Sequence, residues 1–519
     1  MSTSNVHRTI VVGAGSTGAV LAARLSEDPA EHVVLIEAGP KYLSIDELPE
    51  SLWDAEGPAL EGSPDWGYKC FWTEPTHTSV VGNYPRGKVL GGSGSINASM
   101  AIRGLPADFD DWGERGNKDW SWESVLPYFN KLETDLDFPE KEYHGSSGPI
   151  PVRRPTLDEW PTAVQSVVEA LADHGLEYKE DLNEPDMSGI ASTPRNKIST
   201  FRASAAVTYL YEARDRENLE IVADTLVTRV LFDGDQAVGV EIQRDGKLEE
   251  IHADRVVLSG GAINSPQLLM LSGIGPKDML ERAGIKVRVD LPGVGANLVD
   301  HPHVPVVYAA ADPNETRFGF NASLRWSSGL DGGQDNDMVL ALGFTAAKNM
   351  NFDLDPSVKA GVFFPVILAK PVAGGWLELV SADPQTHPEL HFNFLGSDID
   401  TKRLADGVRF ALELLHSDAV SPHVAGPLLA PDAATLADEE RFLEWIHDHV
   451  TTTYHCVGTC RMGPDGDDMA VLDSGLKVRG VSNLYVADAS IMPTIVNAYT
   501  NLTCYMIGEK FADMLSEES

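Results

Sequence analysis

Near the start of the chain the apolar residues fall into two short runs, Thr9–Val12 and His32–Ile36, with helical spacing from Ala19 to Leu25 between them. Unbroken apolar runs rich in β-branched residues are the pattern of strands buried on both faces, so the opening reads as strand–helix–strand with parallel strands. Leu219–Phe232 and Ala237–Ile242 read as strands joined by an Asp233-Gly234 turn, and Arg255–Leu258 as a further strand before a helical Ser265–Leu271. Helical periodicity also marks Pro151–Ala172, Asp400–Leu415, Ala433–His449 and Asn501–Leu515. Residues from about 303 to 400 hold strand-like runs with more aromatics, at Val304–Tyr308, Val362–Leu368 and Trp376–Val380, and Leu484–Ala487 returns to the opening pattern.

Segments of the opening kind thus recur at the beginning, middle and end. The expected architecture is α/β: a discontinuous Rossmann-type domain from residues 1–150, 218–300 and 455–519, with an α+β domain inserted as 151–217 and 301–454.

The turn after the first strand carries Gly13, Gly15 and Gly18 at G-x-G-x-x-G spacing, and Glu37 ends the second strand 19 residues after Gly18 (37 − 18). This is the context in which such glycines bind a dinucleotide. The first permits a tight turn, the second admits the pyrophosphate, and the third lets the helix pack against the sheet. The helix N-terminus then faces the phosphates. Glu37 suits the hydroxyls of an adenosine ribose and would repel a 2′-phosphate, which leaves FAD and NAD. Ser16, Thr17 and Ala38 flank these positions as further cofactor contacts. A second glycine-rich stretch, Pro85–Asn97, has Gly87, Gly91, Gly92 and Gly94 close together, as expected where backbone must approach a flat or bulky group.

At 519 residues the chain is too long for one core, and 43% hydrophobic with 23% charged residues is an ordinary globular balance. No apolar stretch is long enough to cross a bilayer, and MSTSNVHRTIVV has no leader pattern. Four cysteines (Cys70, Cys456, Cys460, Cys504) suggest no disulfide framework and fit a reducing, cytoplasmic setting. The formal charge of −38 argues against nucleic acid and anionic membranes as partners. No metal is expected: the His455/Cys456/Cys460 spacing matches no zinc pattern, and His301 and His303 are two residues without further ligands.

Three longer motifs carry a family resemblance. They are GKVLGGSGSIN (Gly87–Asn97) with Arg103-Gly104 and Asp110–Trp112; GAINSPQLLMLSGIG (Gly261–Gly275); and YHCVGTCRMG (Tyr454–Gly463) continuing through Val486–Ser490 to Asn501. With Asn297–His301, their order over the full length resembles that of the glucose-methanol-choline (GMC) flavin oxidoreductases. The resemblance implies FAD, a two-domain GMC fold, and oxidation of an alcohol by hydride transfer to flavin N5. It carries the active-site histidine to His455 and its Asn/His partner to Asn501. It carries the adenosine-ribose ligand to Glu37 and the adenine-side backbone to Val227. Ser93 and Asn97 match the loop over the flavin ring, with Arg86, Val89, Gly92 and Ala98 counted beside them. Asp488 and Ala489 match the ribityl and pyrophosphate side, and Gly260 is counted among the cofactor contacts. Choline oxidases of the family place a flavin-linked histidine immediately before the loop asparagine. Here that residue is Ile96, so the FAD is expected to be non-covalent.

The chemistry has its own logic. An alcohol releases hydride readily only as its proton leaves, and a neutral imidazole is the natural acceptor near pH 7. An amide can donate to the developing alkoxide without competing for that proton. Asn497 is a rival to Asn501, with the downstream MIGEK stretch fixing the register in favour of Asn501. His301 and His303 are expected to be structural, as are His447 and His449. The expected substrate is a small-molecule alcohol, with oxygen or a carrier as the electron acceptor. A flavin-containing lyase of the hydroxynitrile-lyase type, with no net redox change, is the alternative reading, and a flavin-binding protein without catalysis a third. Phe363, Phe364 and Trp376 are the aromatics singled out in the substrate region, with core packing as their expected role. The sequence leaves the oligomeric state open.

Overall fold

The computed structural model describes residues 7–55, 62–73, 81–312, 315, 319–330, 333–346 and 358–518. The first six residues, read above for a leader, lie outside them.

The opening forms as its pattern predicts: strand His7–Val12, helix Ser16–Leu25 and strand Glu31–Ile36. These two strands join Leu219–Val222, Arg255–Leu258 and Leu484–Val486 in a five-stranded parallel sheet. Its order is 219–222, 31–36, 7–12, 255–258, 484–486. Ile10, Val11, Val34, Leu35, Val256 and Val257 are fully buried, which is why these strands read as unbroken apolar runs. The glycine-loop helix Ser16–Leu25 packs against the C-terminal helix Asn501–Glu518, so the two ends of the described chain meet beside the sheet.

Leu219–Phe232 is not one strand. Leu219–Val222 belongs to the parallel sheet, whereas Leu226–Asp233 begins a separate antiparallel meander with Gln236–Arg244 and Lys247–His252. The break lies at Asp224, whose φ of 50° is left-handed and whose N–H donates to the Gly39 carbonyl (2.9 Å). No Gly or Pro marks it. The expected turn at Asp233-Gly234 does form, with Asp233 paired to Gln236.

A second large sheet is antiparallel, in the order 424–430, 302–310, 360–368, 338–346, 319–326, 189–192, with Thr451–Thr452 beside Pro302–His303. Val304, Val306, Leu340, Leu342, Phe364 and Val366 form its fully buried face, against which helix Asp398–His416 packs. The alternate residues, among them His303, Pro305, Phe363, Pro365 and Ile367, face a cavity.

Three other elements differ from expectation. The run read as Trp376–Val380 is the strand Gly375–Glu378 of a separate sheet shared with Tyr68–Phe71 and Val81–Tyr84. Pro151–Ala172 is broken: a strand Ile150–Val152 is followed by short helical turns around Pro155 and Pro161. Ala433–His449 is two helices, because the Asp438 side chain caps a new start by accepting from the Glu440 and Arg441 amides.

Candidate active site

A cavity of about 1840 Å³ runs from the carboxyl ends of the parallel strands, at Val12, Ile36 and Leu258, to the inner face of the antiparallel sheet. It exceeds the roughly 300–1,000 Å³ of an ordinary ligand pocket, leaving room for a dinucleotide and a second molecule. Its lining gathers Gly13, Gly15, Ser16, Thr17, Glu37, Ala38, Arg86, Gly92, Ser93, Asn97, Ala98, Val227, Gly260, Asp488, Ala489, His455 and Asn501. Two expected contacts stand elsewhere. Gly18 lies between helix and sheet, where a Cβ would overlap the Gly13 carbonyl, so its work is packing. The Val89 side chain is buried in a small cluster with Leu52 and Ile96.

The phosphate end is a fitting cradle for a dinucleotide. A Cβ on Gly15 would meet no protein atom within 4 Å, so that glycine keeps open space facing the cavity. Glu37 accepts from the Ala14 amide (2.9 Å) and the Gly39 amide (2.9 Å), and burial pushes its carboxyl up to about 7. Each of its oxygens retains a lone pair for a ligand hydroxyl. Asp488 accepts from the Gly261 amide (2.8 Å), the Ser265 hydroxyl (2.5 Å) and the Ser490 amide (2.8 Å), which fixes the loop at Gly260.

The two predicted reactive residues reach the same cavity from different elements. Asn501 begins the C-terminal helix, and its Oδ1 accepts from the Ser16 hydroxyl (2.7 Å). Its Nδ2 is buried with no hydrogen-bond partner. An unsatisfied polar atom on a residue that lines a cavity is the mark of a site that takes a ligand. The rival Asn497 is turned away: its amide donates to the Asn336 carbonyl, and its backbone bonds Asp108 and Arg325.

His455 stands behind a rigid frame. Its backbone N–H donates to Asp300 Oδ1 (2.9 Å), and the same buried carboxylate accepts from the His301 amide (2.6 Å), the Tyr84 hydroxyl (2.6 Å) and the Thr452 hydroxyl (2.5 Å). Arg86 braces the neighbouring turn, with Nη2 donating to the Tyr454 carbonyl (2.7 Å). The imidazole packs 4.7 Å from the Tyr499 ring, and its Nδ1 lies 3.1 Å from His301 Nδ1 and 2.9 Å from the Thr453 hydroxyl. Burial and the neighbouring His301, Arg86 and His303 hold His455 well below the usual histidine range, so it is neutral at pH 7.

His301 is therefore more than the filler its sequence context suggested. Its Nε2 lies 3.0 Å from the Val496 carbonyl, which can only accept, so that nitrogen carries the proton. Burial pushes His301 down to about 4, so the ring is neutral and its Nδ1 is bare. The hydrogen in the 3.1 Å contact then belongs to His455 Nδ1, which leaves His455 Nε2 as an unprotonated base. Sequence motifs pointed to His455 and Asn501. They gave no role to Asp300, although it lies in the quoted segment Asn297–His301, and they missed Thr453 and Tyr499, which carry no local signal of their own. Of the aromatics singled out, Phe363 lines the cavity, Phe364 is core, and Trp376 stacks on His391 (4.7 Å).

The family models described as GMC oxidoreductase match residues 7–303 and 371–508. Mitochondrial choline dehydrogenase of Mus musculus is 36% identical over 98% of this chain and 89% of its own. The 5-(hydroxymethyl)furfural oxidase of Methylovorus sp. (strain MP688) is 34% identical over 99% of both chains. The crystal structure of pyridoxine 4-oxidase from Mesorbium loti superposes with a TM-score of 0.90 at 30% identity, covering 98% of this chain and 99% of that one. Among the described residues no helix is long and apolar enough to cross a membrane. The chain belongs to the GMC oxidoreductase family and is an FAD-dependent enzyme acting on CH–OH groups.

Proposed function

We propose that the protein oxidises a primary alcohol to the aldehyde, with His455 Nε2 taking the hydroxyl proton and Asn501 Nδ2 donating to the alkoxide oxygen. The observation that carries this is the tautomer: Val496, His301 and Thr453 together put the His455 hydrogen on Nδ1 and leave Nε2 free. Asn501 supplies the complementary donor, since its oxygen is committed to Ser16 and its nitrogen is not. Bound FAD supplies the two-electron acceptor. Glu37, the Gly15 turn and the Asp488 loop hold its adenosine and phosphate parts, and the segments 1–150, 218–300 and 455–519 make up the domain that binds it. Residues 151–217 and 301–454 form the substrate side. A choline dehydrogenase and a 5-(hydroxymethyl)furfural oxidase are both similar to this chain, which supports oxygen and a carrier alike as the electron acceptor. Four free, buried cysteines support a reducing, cytoplasmic setting.

Ile96 lines the cavity where a nucleophilic side chain would be needed, which supports non-covalent FAD. Acid precipitation should leave the yellow colour in the supernatant. The decisive experiment is anaerobic mixing with a panel of primary alcohols, following flavin bleaching in a single turnover. His455→Ala should keep its flavin and bleach about 10²–10⁴-fold more slowly. A variant that bleaches at the wild-type rate overturns the assignment.

A further inference from the structure

Lysine and aspartate are rarely buried, and an interior pair has to be matched and hydrogen-bonded. Lys370, just beyond the strand Ala360–Leu368, and Asp108, in the first turn of the helix Pro106–Glu114, meet in the interior with 8% and 3% of their surfaces exposed. The Lys370 ammonium donates to Asp108 Oδ1 (2.8 Å) and to the Ile495 carbonyl (2.7 Å). Asp108 Oδ2 accepts from the Asn497 amide (2.8 Å), and the Arg325 guanidinium donates to the Asn497 carbonyl (2.9 Å). Ile495 and Asn497 flank Val496, whose carbonyl takes the His301 proton. The chain is thus pinned on both sides of the carbonyl that sets the tautomer of the histidine pair.

The ion pair also acts on His301 through charge. Burial pushes the ring down to about 4; the Val496 and Ala369 carbonyls and the Asp108 carboxylate favour its protonated form, and the Lys370 ammonium opposes it. Other charged or titratable groups face His301 as well. His455 lies across the 3.1 Å contact, His303 is two residues on, and the Arg325 guanidinium lines a small cavity behind the ring. The Asp300 carboxylate is taken up by the amides of His301 and His455 and by the Tyr84 and Thr452 hydroxyls. Without the ammonium, the buried Asp108 carboxylate would draw a proton onto His301. A cationic His301 would present Nδ1–H to His455 Nδ1. The single proton of neutral His455 would then sit on Nε2, the atom that must be bare to accept from an alcohol.

We propose that Lys370 and Asp108 are positioning residues for the base: they pin the chain around Val496 and balance charge behind His301, so that His301 stays neutral and His455 Nε2 stays free. This rests on the reading of His455 as the base and deepens it. Neither side chain is among the residues that line the large cavity, so both act through His301 rather than on the substrate.

Histidine nitrogen-15 spectra of the holoenzyme, with the His301 signals identified by their loss in His301→Leu, test this without any substrate. Wild-type His301 should stay neutral, with its proton on Nε2, between about pH 5.5 and 8. In Lys370→Met the ring should titrate about 1–3 pH units higher than in wild type. Anaerobic flavin bleaching by the fastest alcohol of the panel should then fall by up to about tenfold per unit below that pH. Lys370→Arg, which keeps the charge, should show the wild-type pH profile, as should the double variant Lys370→Met/Asp108→Asn, whatever their absolute rates. Three results would overturn the inference: a wild-type His301 that titrates in this range, a His301 that stays neutral throughout it in Lys370→Met, or a double variant with the acid limb of Lys370→Met. A rate loss in Lys370→Met that is equal at every pH, the mark of a purely structural anchor, would do the same. If no alcohol bleaches the flavin, the alcohol-oxidising reading fails, and the spectra still decide whether Lys370 and Asp108 hold His301 neutral.

Discussion

The Nδ1 atoms of His301 and His455 lie 3.1 Å apart, and the Val496 carbonyl on the far side of His301 decides which of them carries the proton. A main-chain oxygen thus sets the protonation of a side chain two rings away. The arrangement does for His455 what an orienting acceptor does for any catalytic imidazole: it fixes the tautomer and the plane of the ring.

Replacing that acceptor should therefore slow the chemistry without emptying the site. His301→Leu should retain FAD and slow anaerobic flavin reduction by about 10–100-fold, the range in which orienting partners act. The Thr453 hydroxyl at 2.9 Å still accepts from His455 Nδ1, so the loss is partial. His301→Gln, whose amide oxygen can accept, should recover part of the rate. Equal rates in His301→Leu and wild type would show that the tautomer is fixed without His301.

Asn501→Ala removes the proposed donor to the alkoxide and frees the Ser16 hydroxyl. Flavin reduction should slow by about 10²–10³-fold, as when one oxyanion-hole donor is lost. Raising the pH should partly rescue His455→Ala, because hydroxide can replace a base, and should not rescue Asn501→Ala. A shared pH response of the two variants would contradict their separate roles.

Two glycines three positions apart should fail differently. Gly15 has an ordinary φ of −73° and open space where its Cβ would stand, so Gly15→Ala should fold with unchanged apo-protein melting and hold FAD more weakly. Gly18→Ala drives a Cβ into the Gly13 carbonyl and should lower the yield of folded protein whatever the cofactor supply. Thermal melts of stripped protein, with and without added FAD, separate the two outcomes.

FAD affinity should depend on pH through Glu37. Burial raises its carboxyl to about 7 in the ligand-free cavity, and ribose hydroxyls donating to it favour the ionised form. Binding then releases a proton when the pH is below about 7, so affinity weakens as the pH falls through that value, by at most about tenfold per unit. Titrations of stripped protein with FAD between pH 5.5 and 8 should show this slope, and Glu37→Gln should bind more weakly without it. A slope of the same size in Glu37→Gln would assign the proton to another group.

The parts legible in the sequence are those whose signals are local. The parallel strands announce themselves because burial on both faces requires unbroken apolar runs such as Thr9–Val12, and the glycine spacing after them reports a backbone geometry. Motifs pointed to His455 and Asn501, and both line the cavity. The Asp224 break was not visible, because Ala-Asp-Thr between two apolar runs contains no usual breaker and the reversal is held by contacts to Gly39 and Glu37. His301 was underrated for a similar reason. Its partner lies 154 positions away, a relationship that no pattern along one stretch of chain encodes. Val89 differs in another way: it sits inside a cavity-lining motif, yet its own side chain turns to Leu52 and Ile96.

The hydrogen bond from Ser16 to Asn501 spans 485 positions, and that from Thr17 to Cys504 spans 487. At roughly 5–20 residues per second, the glycine-loop helix is synthesised about 25–100 s before the helix it docks against. Throughout that interval the growing polypeptide carries half a nucleotide cradle with its apolar flank uncovered. The complete cradle, with Asn501 beside the glycine loop, can therefore form only after the helix at Asn501 has been made.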